Sequence, residues 1–502
     1  MARPKTGSGA PLAVLVSREA SGAEAVAEPV SGPRAVARGA ASPTLARLAA
    51  ERARAIGCED IPAAVVAAAK DQLLDQLGVG LVASTLANAR ALTAAVPRLG
   101  AGGASTALGL KEPLPAASAA LRNGALMHAL EFDGTHAAAI VHGGSVAAPA
   151  ALAMAEAAGA SGPALLRAFV LGWELHIRLG LAAPGRFQER GFQLTAVGGP
   201  FAAALIAGLL LDLPARALTH ALGIAGSQAS GVFEFVFEGA TVKALHAGWA
   251  AHAGLVAAEL ARAGMTGPST ILEGPHGFYR AYAGASAAPE QLRALLDGFG
   301  RDWHLPEVAA KQYPCCHYIQ PFLECLATLI GQGLDSRAIR ELRCEVPRGE
   351  EFLICEPWER KLRPGSAYEA KFSLPYALAA LMVDRRVTVE TFEGAARPDL
   401  IEAARRVSWV PMADGGFPER FRARVTVTTA AGETLACEVD DMLGGPRRPL
   451  PRSAIHDKFR SNAARALEAG AAEAVFEAVA RMDSAASCRA LTDALRRVGG
   501  PA

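Results

Sequence analysis

The sequence predicts a mainly α protein, with a large all-helical domain followed by a smaller α+β domain. Three observations carry this. From residue 44 to about 263 the chain reads as helix after helix, with alanine-rich faces that let neighbouring helices approach closely. Around Gly264 the texture changes to loops punctuated by Gly267-Pro268, Gly274-Pro275 and Gly284. Strand-like alternation then appears at 339–346, 420–428 and 434–439, the last two flanking a turn at Ala430-Ala431-Gly432.

Taken in order, residues 1–40 are rich in Ala, Gly, Pro and Ser and lack both an apolar helical stripe and a signal-peptide core, so a disordered N-terminal extension is expected. Residues 41–275 form the predicted helical domain. Ser42-Pro43-Thr44, Ile61-Pro62 and Gly162-Pro163 each open a helix with proline where a first turn tolerates it. The most apolar run, 196–213, is interrupted by Gly198-Gly199-Pro200 and Gly208, which suits a buried helix and not a membrane span. Residues 276–445, with a helical patch at 289–299 before the strands, make up the α+β domain. Residues 446–502 are helical again and are expected to pack back on the first domain.

Composition narrows the function. The 502 residues include 50 Lys+Arg against 49 Asp+Glu, so no global basic field exists to hold nucleic acid or an anionic membrane. The eight cysteines are scattered without a C-x-x-C, which argues against a zinc site or a disulfide framework and for reduced thiols in a cytoplasm. The glycine-rich stretch 264–284 lacks the Gly-Lys-Ser/Thr of a phosphate loop. Asp71 and Asp75 share a helix face and read as solvated or interhelical partners, not a catalytic pair.

Three segments concentrate chemistry. The first, His128-Ala-Leu-Glu131-Phe-Asp133-Gly-Thr135-His136 followed by His142-Gly-Gly-Ser145, sets three histidines, two carboxylates and a threonine between apolar helices. Either a solvated interhelical loop or an active site accounts for it. In Lys243-Ala-Leu-His246-Ala-Gly-Trp249-Ala-Ala-His252, an ammonium at a helix start makes an anion pocket or simply snorkels. In Lys311-Gln-Tyr313-Pro-Cys315-Cys316-His317, a turn presents Lys311, Tyr313 and His317 to one space or packs as an aromatic corner. Cys315 and Cys316 read as buried packing, since nothing marks a depressed thiol pKa.

Together with the glycine-rich run 267–278 and Glu369-Ala-Lys371-Phe-Ser373-Leu-Pro375-Tyr376, these words resemble the MmgE/PrpD family, which includes 2-methylcitrate dehydratase, cis-aconitate decarboxylase and iminodisuccinate epimerase. The resemblance spans nearly the whole chain beyond the N-terminal extension. It implies that the α+β domain acts as a lid, that the protein is a homodimer, and that it works without metal or cofactor on a small polycarboxylate, a di- or tricarboxylate bound between the domains. It further implies a lyase or isomerase that builds negative charge on a carbon beside a carboxylate, by decarboxylation, dehydration or epimerisation. Such chemistry needs cations for carboxylates and one or two proton carriers. His142, Lys243, Tyr313 and His317 are the expected catalytic groups. Glu131, Asp133, Thr135, Gln193, His246, Lys311 and Lys371 are the expected substrate-binding set.

The departures matter as well. Where the family reads Asp-Phe-Asp-Asp-Thr-His, this chain has Glu131 first and Gly134 in the fourth place. Its His-Pro-Ser becomes His142-Gly143-Gly144-Ser145, read as a more flexible turn. Its Gly-Phe-His-x-Thr becomes Gly191-Phe192-Gln193-Leu194-Thr195, and glutamine cannot titrate. These changes keep two other readings open: a different carbanion reaction, such as a cyclisation, on a less charged substrate, or a non-catalytic carboxylate-binding protein. Cation count separates the first two readings. A tricarboxylate site should gather roughly three, including one from Arg363, Lys371 or Arg178.

Overall fold

In the computed structural model the described residues are 42–87, 89–100, 102–417 and 420–499. The predicted N-terminal extension lies outside them. The proline signals open helices as expected: Thr44 precedes Leu45–Ala55, Pro62 precedes Ala63–Ser84, and Ser161 accepts from the Ala164 amide at the head of Gly162–Leu181, with Pro163 in its first turn. The apolar run resolves into Leu194–Val197 and Gly199–Leu210, and nearly every side chain of the longer helix is buried. Among the described residues no single helix is long and apolar enough to cross a membrane.

One helix crossing sets the geometry of the first domain. A Cβ on Gly248 would lie 2.1 Å from the Leu121 carbonyl oxygen, and one on Gly124 would lie 2.8 Å from the Gly248 Cα. Ala116–His128 and Lys243–Arg262 therefore meet backbone to backbone, a contact that only glycine permits. This crossing holds the His128 end of one helix beside the Lys243 end of the other.

The first core extends to Val308 and takes in Leu292 and Leu296 of the helix Ala288–Asp297, beyond the 275 boundary expected from the change of texture. It also takes in Phe459, Val475 and Leu491 from the C-terminal helices. Arg452–Ala463 lies along Ala63–Ser84, where Arg452 reaches Asp71 at 2.7 Å and Lys458 reaches Asp75 at 2.7 Å, so both aspartates serve as interhelical partners.

A second core, built around Leu323, Leu342, Val425 and Leu378, belongs to the α+β domain. Its sheet has the order β2-β1-β3-β4, where β1 is Ile339–Pro347, β2 is Val407–Met412, β3 is Ala423–Thr429 and β4 is Thr434–Val439. β1 pairs with β2 in parallel and with β3 antiparallel, and β3 with β4 forms the predicted hairpin. Three strands follow the expected alternation. β2 does not: it is a half-buried edge carrying Pro411, whose missing N–H only an edge accommodates. Reciprocal backbone bonds between Thr135 and Ala309 (3.0 and 2.9 Å) tie the histidine-rich loop to the segment that leads into the second core.

Candidate active site

After the helix Ala116–His128 ends, Glu131 turns the chain with φ +54°, a left-handed conformation that costs a non-glycine residue on the order of 1 kcal/mol. Local contacts hold it there. Lys311 donates from Nζ to the Glu131 carbonyl (2.9 Å) and lies 3.6 Å from its carboxylate, while Lys243 forms a buried ion pair with the same carboxylate. Burial alone would push the Glu131 carboxyl up, but Lys243 and Lys311, with smaller help from His142 and His128, hold it down at about 2.

Behind this trio sits an ordered polar chain. His128 donates from Nδ1 to Asp133 Oδ2 (2.7 Å), which leaves Nε2 to accept from the Gln193 amide (3.1 Å). Gln193 Oε1 in turn accepts from His246 Nδ1 at 2.6 Å. Asp133 also takes the Ser145 hydroxyl (2.5 Å) and lies 3.3 Å from His142 Nδ1. Thr135 Oγ1 is 3.2 Å from that nitrogen, and Thr195 Oγ1 accepts the His142 amide at 3.0 Å. His142 is thus fixed through its backbone and Nδ1, leaving Nε2 for the cavity it lines. Burial pushes the imidazole down; Asp133 opposes this and the two lysines add to it, so His142 titrates at about 4 and is neutral at pH 7.

The Gly143 turn is not loose. A Cβ there would meet the Trp173 ring at 2.4 Å, so the glycine is dictated by crowding and the flexible turn expected from sequence is corrected.

A cavity of about 120 Å³ lies between the two cores. Glu131, Thr135, His142, Gln193, Lys243, Lys311 and His317 line it, joined by Thr195 and Tyr318. His317 is buried with neither ring nitrogen hydrogen-bonded, its ring edge-on to Phe421 at 4.6 Å. Burial, then Lys311 and His142, keep it neutral. A buried imidazole with both nitrogens unpaired can take a partner from the cavity it lines.

Four expected site residues stand elsewhere. Tyr313 is tied through its backbone to the Gln320 side chain (3.0 and 2.9 Å) and packs into the second core, where burial pushes its phenol up to about 12. Tyr318, one turn on, lines the cavity instead. His246 stands behind Gln193, and Asp133 stands behind His142 with no exposure. Lys371 points its ammonium at the Ala129 carbonyl (3.2 Å) and borders a different cavity; burial foremost lowers it to about 8. Arg178 is buried against Glu174, and Arg363 is exposed. Among the described residues two cations therefore face the cavity, not three. Cys316 also lines it, and burial raises its thiol to about 11, consistent with packing and not nucleophilic attack.

Lys458 is the positioning group that sequence reasoning missed. From the helix Arg452–Ala463 it donates to the carbonyls of Phe132 (2.8 Å) and Lys311 (3.0 Å) and lies 3.7 Å over the Phe132 ring. One ammonium thus fixes both loops that carry the site.

Two groups bring three potential metal ligands together, His128 with Asp133 and His142, and His136 with His304 and Glu307. In the first, the ring proton on His128 Nδ1 is committed to Asp133. In the second, His136 Nδ1 accepts the Ala139 amide (3.2 Å), so its proton sits on Nε2 facing Glu307. In each group one ring nitrogen is thereby paired with a carboxylate of the same cluster.

Buried neutral histidines make folding acid-sensitive. His176 is fully buried, His246 is buried and His142 is mostly so, and burial foremost lowers each from 6.5 to about 4. The unfolded chain then binds more protons than the folded one below pH 6.5. Their contribution is complete above 6.5 and is lost as pH falls towards 4, on the order of 3 kcal/mol for a fully buried ring. Urea midpoints should drop steeply between pH 7 and 4.5, and less so in His176→Gln; an unchanged midpoint would refute the burial argument.

Comparison with known proteins fits this geometry. The MmgE/PrpD N-terminal domain matches residues 47–291 and the MmgE/PrpD C-terminal domain matches residues 313–484. The chain is 27% identical over 429 residues to cis-aconitate decarboxylase of Aspergillus terreus, covering 81% of this chain and 86% of the relative. It is 28% identical over 452 residues to the cis-aconitate decarboxylase-like protein oryM of Aspergillus oryzae (85% and 92%), and 28% identical over 455 residues to cis-aconitate decarboxylase of Homo sapiens (87% and 91%). With both domain matches in sequence order over most of its length, the chain belongs to the MmgE/PrpD family.

Proposed function

We propose that this protein is a lyase that decarboxylates a small organic acid through a carbanion stabilised by a neighbouring carboxylate. The observation that carries the proposal is the convergence on one cavity of two ammonium groups, Lys243 and Lys311, and of an imidazole, His142, whose Nδ1 is anchored and whose Nε2 is left for a ligand. The lysines hold the retained carboxylate. As the bond to the departing carboxylate breaks, carbon dioxide leaves and the electron pair stays on carbon, delocalised into the carboxylate that the lysines neutralise. The imidazolium of His142 then supplies the proton to that carbon and returns to its neutral form. Thr135 and Asp133 fix the ring, and His317 is placed to hydrogen-bond the acid. Cis-aconitate decarboxylase relatives favour decarboxylation over dehydration or epimerisation.

The experiment is to incubate the purified protein in deuterated water with cis-aconitate, 2-methylcitrate, citrate, iminodisuccinate and close analogues, following carbon dioxide release, deuterium incorporation and products. A decarboxylase places one deuterium at the carbon that lost carbon dioxide, and a chelator leaves the rate unchanged. Binding of these acids with neither release nor exchange would instead indicate a carboxylate-binding protein.

A further inference from the structure

The cavity carries less charge and more aromatic surface than a tricarboxylate requires. Among the described residues two ammonium groups and the Glu131 carboxylate face it, a net charge of +1, and no arginine lines it. Five phenylalanines, Phe233, Phe235, Phe372, Phe417 and Phe421, also line it, with Lys243 Nζ 5.5 Å over the Phe372 ring. A second cavity, of about 290 Å³, shares Val236, Leu353 and Phe372 with the first as a common wall and adds Phe352, Pro357 and Tyr368. Its surface is mainly apolar although Glu356, Arg360, Lys361 and Glu369 also line it, and Phe352 is 59% exposed, an uncovered aromatic side chain beside a pocket. Lys361 donates to the carbonyls of Leu353 (2.6 Å) and Phe372 (3.0 Å), so one ammonium ties together the backbones of two of the three wall residues.

We infer that the substrate is an acid with an apolar chain, its carboxylate end held at Lys243 and Lys311 and its chain crossing the Val236–Leu353–Phe372 wall into the outer cavity. The inference rests on the carboxylic-acid reading above. It adds the substrate class: fewer carboxylates than a tricarboxylate, and a hydrocarbon tail. Pockets of this composition gain affinity from buried carbon while a few polar groups set orientation.

The test is calorimetric titration with straight-chain alkanoates from propanoate to decanoate. Affinity should rise about fourfold per methylene once the chain reaches the outer cavity. Phe352→Glu, at an exposed position that touches only the outer cavity, should erase the increment for the longest members and leave propanoate unchanged; Phe352→Leu should restore it. A flat series in the wild type, or an increment untouched by Phe352→Glu, overturns the inference. A rising series with no turnover of the polycarboxylic acids above would keep the tail site and reject the decarboxylase; turnover of those acids with a flat alkanoate series would do the reverse.

Discussion

His142→Asn is expected to lower kcat roughly 10²- to 10⁴-fold, the usual worth of a positioned proton carrier, with the fold retained. The pH dependence then separates acid from base. In the empty site His142 is neutral above about 4, so an enzyme that donates a proton from it must first take one up. Between pH 6 and 8, kcat/KM for decarboxylation should fall close to tenfold per pH unit. kcat should stay flatter, because the bound carboxylate raises the imidazole in the complex. Were His142 a base, as dehydration or epimerisation demands, kcat/KM would be level over the same interval. His142→Asn should remove the slope along with the rate. A residual rate that keeps the slope would move the proton to His317, the other imidazole in the cavity.

What the sequence revealed and what it hid follow from the range of each signal. Helix starts are local: a proline or serine within one turn decides them, and Pro62, Ser161 and Pro163 are legible without any partner. The paired strands β3 and β4 announce themselves by alternation and an intervening glycine turn, whereas β2, a parallel edge strand with a proline, has neither. The loop from His128 to His142 is legible because its polar groups are crowded in sequence as well as in space. Its internal roles are not. Whether Tyr313 or Tyr318 meets the cavity depends on a single short turn at His317–Ile319, which residue type cannot report. Lys458 lies more than three hundred residues from Phe132, and its one signal, a lone lysine on a helix whose facing helix buries Asp75, requires knowing that the two helices pack. Gln193 was visible as a departure. Its bridging of His128 and His246 was not, because an amide that donates to one ring and accepts from another is defined only by where both rings stand.

Lys243→Met should destabilise the protein by about 3–5 kcal/mol, since it strands the Glu131 carboxylate in a site where it keeps only Lys311 at 3.6 Å. The loss is the cost of an uncompensated buried charge, not the net worth of the pair. It should therefore be largely reversed by a second change: in Lys243→Met/Glu131→Gln the orphaned charge is gone, and urea unfolding should recover about 2 kcal/mol or more of the deficit. Turnover should not recover with it, because the double variant still lacks the ammonium that holds the substrate. That split distinguishes the two jobs of the trio. If the pair served stability alone, activity would return with the fold; if Glu131 served only to tune the lysines, Glu131→Gln alone would leave stability unchanged. The conformation of Glu131 argues against the second outcome. A left-handed glutamate whose carbonyl and carboxylate both meet Lys311 is held by its charge partners, and releasing them frees the backbone that carries Asp133, Thr135 and His142.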